Sequence, residues 1–171
     1  MKAYTNVNLV TCDSEFHVYR EGLLVVEDDR IAYCGPYDQA CLAKCSETVD
    51  YEGAWIMPGL VNCHTHSAMT LLRGIRDDSN LHEWLEDYIW PAESQFTEEV
   101  TTKAVQFALA EMLLSGTTTF NDMYNPHGVD IKQIYQAVRQ SGMRCYFSPT
   151  LFTSPAETAA ETLARTRAII E

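Results

Sequence analysis

The polar and apolar positions of this chain change rhythm near residue 57. Before that point the apolar stretches are short and often interrupted. Residues 3–10, Gly22 to Val26, Arg30 to Cys34 and Glu47 to Tyr51 read as strands. Gly35-Pro36 marks a turn, and residues 37–45 read as a short helix. Residues 1–56 are therefore predicted to form a small unit of short β-strands.

From residue 57 the segments lengthen and alternate. Leu60 to Cys63 reads as a short buried strand. Leu81 to Trp90 is predicted helical, with Leu81, Trp84, Leu85 and Tyr88 on one face. Residues 97–115 give the clearest helix: Thr97 can cap it, Glu98 and Glu99 favour its positive end, and Gly116 follows as a stop. Thr117 to Tyr124 is β-rich, Val129 to Ser141 is helical and ends at Gly142, and Arg144 to Leu151 is a strand. Ser154-Pro155-Ala156-Glu157 offers a capping box, with proline at the first helical position, for a helix running to Glu171.

This alternation predicts an α/β fold, a parallel sheet with helical crossovers. Three such strands fall short of the eight strands and about 250 residues of a closed (β/α) barrel. An open three-stranded sheet would leave apolar faces and an unpaired edge. Residues 57–171 are thus expected to be the first part of a larger assembly. Further sequence, another chain or a second copy in a homo-oligomer would complete it.

Composition adds exclusions. The chain has 171 residues, 46% hydrophobic and 21% charged, as globular proteins do. No apolar run approaches the roughly 18 residues of a membrane span. Met1 to Asn6 lacks the apolar core of a signal peptide. A formal charge of −12 argues against nucleic acid or anionic membrane as a partner, since both need a basic surface. The cysteines (Cys12, Cys34, Cys41, Cys45, Cys63, Cys145) lack a disulfide-framework spacing and read as free thiols of a cytoplasmic protein. Cys41 and Cys45 would share a helix face, as a metal pair or, more plainly, as small buried side chains.

The chemistry is concentrated in Pro58-Gly59-Leu60-Val61-Asn62-Cys63-His64-Thr65-His66. On a strand, residues two apart point to one face, so His64 and His66 can reach one metal ion. Zinc, iron or another ion that accepts nitrogen ligands would fit. Such an ion activates water at neutral pH, which suggests hydrolytic chemistry. A cytidine-deaminase zinc site is excluded by the lack of His-x-Glu and Pro-Cys-x-x-Cys, and a metalloprotease by the lack of His-Glu-x-x-His.

Residues 56–73 resemble the first barrel strand of the amidohydrolase superfamily. Leu81-His82-Glu83-Trp84-Leu85, Trp90-Pro91-Ala92-Glu93 and Gly116-Thr117-Thr118-Thr119-Phe120-Asn121-Asp122-Met123-Tyr124 resemble its branch of methylthioadenosine/S-adenosylhomocysteine deaminases and triazine chlorohydrolases. The resemblance implies a distorted (β/α) barrel joined to a small β-sandwich built from both chain ends. It also implies one zinc, with iron as the alternative, at the barrel mouth. His64 and His66 match the first two ligands. The family's later ligands (two histidines and an aspartate) and its proton-shuttling glutamate match nothing here, Asp77, Asp78 and Asp122 included. Catalytic zinc usually has three protein ligands, so weak or no metal binding is expected of these residues alone.

The resemblance also implies a small-molecule substrate, a purine nucleoside or an amino- or chloro-substituted ring. Glu93 matches the glutamate that binds ribose hydroxyls. Pro149 stands where members active on adenosylhomocysteine tend to carry an arginine, which favours methylthioadenosine, adenosine or a non-nucleoside ring amine. Trp84 and Trp90 read as pocket walls or as core. His127 lines the pocket or sits in an ordinary turn, and His82 lies on a helix surface or at the pocket. Asp122 supports the metal histidines or is a strand-end acid. Met69 and Leu72 read as pocket or core, and His17 has no evident partner.

Overall fold

A nine-residue strand, β1 (Lys2–Val10), organises the start of the chain in the computed structural model, which describes residues 1–123, 131–148 and 158–170. The chain divides into two units, Met1–Pro58 and Gly59–Glu171. In the first, β1 pairs antiparallel with β2 (Val18–Glu27), which pairs antiparallel with β3 (Arg30–Pro36). On its other side β1 runs parallel to β4 (Glu47–Asp50) and, further along, to β5 (Trp55–Ile56). The two-residue β5 is too short to carry a period and was not predicted. The short helix α1 (Gln39–Leu42) is capped by the Asp38 carboxylate, which accepts the Ala40 and Cys41 N–H groups at 2.7 and 3.2 Å. Cys41, Leu42 and Cys45 pack on buried Ala3, Leu23 and Val25, so the two cysteines serve as small apolar side chains.

His17 does have partners. Asp13 accepts the backbone N–H of Glu15 and of His17, each at 3.1 Å, and the His17 Nδ1–H at 2.7 Å. Glu15 lies 3.3 Å from His17 Nε2. The folded loop between β1 and β2 creates these contacts, and no sequence period reveals them.

The second unit holds three parallel strands in chain order: β6 (Leu60–Thr65), β7 (Thr117–Asp122) and β8 (Arg144–Phe147). The predicted alternation is therefore observed. Among the described residues β6 and β8 form the two edges, and Val61 (62%) and Tyr146 (70%) are exposed. Helix α4 (Glu98–Leu114) starts where the Thr97 Oγ1 accepts the Val100 N–H at 3.2 Å and is followed by Gly116 at φ 85°. Its face of Ala104, Val105, Ala108, Leu109 and Met112 packs with Phe120 of β7, with Ile134 and Ala137 of α5 (Ile131–Ser141), and with Met143. Burying a side chain the size of Phe120 contributes roughly 1.5–3 kcal/mol. No helix among the described residues is long and apolar enough to cross a membrane.

Two helical expectations need correction. The segment after β6 turns through a 3-10 stretch (Ser67–Leu72), then α2 (Leu81–Glu83), a π-helical stretch (Trp84–Ile89) and α3 (Trp90–Glu93). The wider π turn rotates the helix face. Ile89 is buried, whereas Leu81 from the predicted stripe is 64% exposed. At the other end, Ser154 to Glu157 lie outside the described residues. Helix α6 (Ala159–Ile170) follows Thr158, whose N–H donates to Glu161 Oε2 at 2.8 Å while its Oγ1 accepts the Glu161 N–H at 3.4 Å. That is a capping box four residues further along the chain than the expected one.

Candidate metal centre

Simple strand alternation does not set the two histidines. Asn62 pairs with Phe120 and Thr65 with Asp122, so three steps on β6 oppose two on β7. The extra residue is a β-bulge across Cys63 and His64, a device that re-aims side chains at strand ends. The Asn62 side chain braces it, accepting the His64 N–H at 3.1 Å and donating to Thr65 Oγ1 at 2.6 Å. His66 lies just beyond β6, at φ −124° and ψ 79°.

The imidazoles meet edge to face, with centroids 5.0 Å apart and planes at 85°. Two imidazoles on one tetrahedral zinc, each with Zn–N of about 2.0–2.1 Å, have ring centres roughly 5 Å apart. The His66 Nδ1–H donates to the Met123 carbonyl at 2.5 Å, which leaves Nε2 as the lone-pair nitrogen. This pair is suited to supply two nitrogen ligands. Among the described residues no group of three His, Cys, Asp or Glu side chains could hold an ion.

Among the described residues no hydrogen bond joins Asp122 to either ring. Asp122 is 1% exposed, and it accepts the Ser67 N–H at 2.9 Å and the Ser67 O–H at 2.5 Å. Burial raises its pKa, against the opposing effects of the Ser67 hydrogen bonds and of His66. Asn121 joins strand ends across β7, donating to the Cys63 carbonyl at 3.4 Å and accepting the Ser148 O–H at 2.8 Å. A cleft of about 520 Å³ adjoins His66 and is walled by Asn62, Ser67, Arg73 and Glu111 among others. Arg73 grips Glu111 with two bonds of 3.0 and 2.8 Å, tying the 3-10 stretch to α4.

The other predicted residues are more scattered. Glu93 closes α3 half-buried, and burial raises its pKa. Trp84 is half-buried, Trp90 is 44% exposed rather than core, and His82 is exposed. Ala68 joins the core, while Met69 is partly exposed and Leu72 partly buried. Among the described residues no hydrogen bond, ion pair or ring contact links Trp84 or Glu93 to either histidine. His127 and Pro149 lie outside the described residues. The sequence reading missed Asn62, Ser67 and the Met123 carbonyl. Asn62 left a trace, since asparagine is poor in strands and good in side-chain-closed turns. A backbone carbonyl leaves none.

Residues 55–171, carrying the bulge, both histidines and the parallel strands, match the amidohydrolase family model. The chain belongs to the amidohydrolase family. This amidohydrolase chain is 46% identical over 150 residues to a 5-methylthioadenosine/S-adenosylhomocysteine deaminase of Bacillus cereus (strain AH820), covering 88% of the chain and 34% of the relative. It therefore spans about a third of the length of the curated relatives it matches. An adenosine deaminase of Xanthomonas campestris solved with bound zinc superposes with a TM-score of 0.79 at 30% identity, over 98% of this chain and 38% of that one. Atrazine chlorohydrolase from Arthrobacter aurescens TC1, complexed with zinc, superposes at 0.81 with 19% identity over 99% and 42%, a likeness of fold.

Proposed function

We propose that this chain supplies the first two metal ligands, His64 and His66, of a hydrolase that deaminates an adenine nucleoside such as methylthioadenosine or a related amino-substituted ring. In this reading residues 57–171 open a (β/α) barrel and residues 1–56 contribute to a β-sandwich. The observation that carries it is the braced histidine pair at 5.0 Å, within a segment whose relatives include named nucleoside deaminases. Zinc is the expected ion, and when bound it makes water a nucleophile at neutral pH. The chain's own residues orient. Met123 fixes the His66 tautomer, and Asn62 holds the bulge. Glu93, half-buried with no carboxylate hydrogen bond among the described residues, has acceptor capacity for the two neighbouring hydroxyls of a ribose. The six free thiols accord with a reducing compartment such as the cytoplasm.

The test is ammonia release by the zinc-loaded complete gene product from methylthioadenosine, from adenosine and from an aminotriazine. Glu93→Gln is expected to raise KM for both nucleosides about tenfold, near 1.4 kcal/mol, and to leave the aminotriazine unaffected. Chloride release from a chlorotriazine with no nucleoside turnover would contradict the substrate assignment.

A further inference from the structure

The last residue of β7 and the one after it hold the His66 turn at three points. Met123 receives the His66 ring, and Asp122 receives both the N–H and the O–H of Ser67, the next residue. Asp122 and Ser67 are each 1% exposed, so neither bond is exchanged for water. Asp122 also lines a small cavity with Ile134, Val138, Arg139, Met143, Cys145 and Phe147 among others. A buried carboxylate in such surroundings is costly unless it is hydrogen-bonded, and among the described residues Ser67 supplies its side-chain bonds.

We infer that Asp122 is a positioning residue for the metal site: by binding Ser67 twice it fixes the backbone just after His66 and so aims the His66 ring. The inference rests on the proposed metal role of His66. It assigns Asp122 neither to metal ligation nor to proton transfer. What matters is the geometry of two hydrogen bonds, and the negative charge is dispensable. An asparagine meets that geometry, since its carbonyl can accept the Ser67 N–H while its amide donates to the Ser67 oxygen.

The experiment is zinc affinity of the complete gene product, by competition with a chromophoric chelator, beside its thermal midpoint. Asp122→Ala is expected to bind zinc 10–100-fold more weakly, the usual range for groups that orient ligands. Asp122→Asn is expected to restore most of that affinity. Ser67→Ala, which deletes only the hydroxyl bond, should give a smaller loss and covers the case in which Asp122→Ala fails to fold. A lowered midpoint with unchanged affinity in Asp122→Ala and Ser67→Ala would overturn the inference, leaving Asp122 a core residue. So would an Asp122→Asn variant as weak as Asp122→Ala, because charge would then be the active property. His66→Ala serves as the control: if it binds zinc like the parent, the metal role of His66 fails, whatever Asp122 does.

Discussion

At the scale of single residues, the site is set by short-range hydrogen bonds to backbone. His66 is oriented by a carbonyl, His64 by the Asn62 side chain, and Ser67 by a buried carboxylate. The same device appears at the loop after β1, where it gives a clear pH signature. The His17 ring N–H, and then the His17 backbone N–H, hold the Asp13 pKa down to about 2, from 3.8. A depressed folded pKa means the carboxylate's contribution to stability is present above pH 3.8. It is lost as the pH falls toward about 2. A carboxyl-carbon NMR titration should give an Asp13 midpoint near 2, moving up toward the ordinary value in His17→Ala. A midpoint already at the ordinary value in the parent would contradict the loop geometry.

At the scale of elements, close approach between β6 and β7 depends on Gly59. A Cβ there would overlap the Thr118 Oγ1 and Cγ2 atoms and come within 2.7 Å of its Cβ. Gly59→Ala is expected to cost about 1–3 kcal/mol, as overpacking does, and to disturb the strand that carries both histidines. Chemical denaturation of the complete gene product checks this, and a change near zero would show that the strands part easily. Elements were legible where local signals agreed. Thr97 and Gly116 mark the ends of α4, and the apolar face between them is the observed core. They were illegible where tertiary context decided. Around the π turn at Trp84–Ile89, Trp84, Leu85 and Tyr88 of the expected stripe are partly buried while Ile89 takes the buried place that Leu81 does not, and the bulge at Cys63–His64 replaced strict alternation. The spacing of His64 and His66 predicts that their rings lie close together, and their centroids are 5.0 Å apart, although a bulge rather than strict alternation brings them there. The substrate role of Glu93 rests on resemblance, because periodicity says nothing about a substrate.

At the scale of the whole molecule, the parallel order of β6, β7 and β8 places the ends of successive strands side by side, where α/β folds collect their chemistry. In the proposed reading, His64 at the end of β6 and His66 just beyond it, braced by β7, would be one part of a metal site, since a catalytic ion takes about three protein ligands. The most direct test is ammonia release from methylthioadenosine by the complete gene product after removal of metal with a chelator and after return of zinc. Activity should vanish on stripping and return with about one zinc per chain, and His64→Ala or His66→Ala should not recover it. Full activity in the stripped protein, or in either histidine variant, would contradict the metal role assigned to this pair.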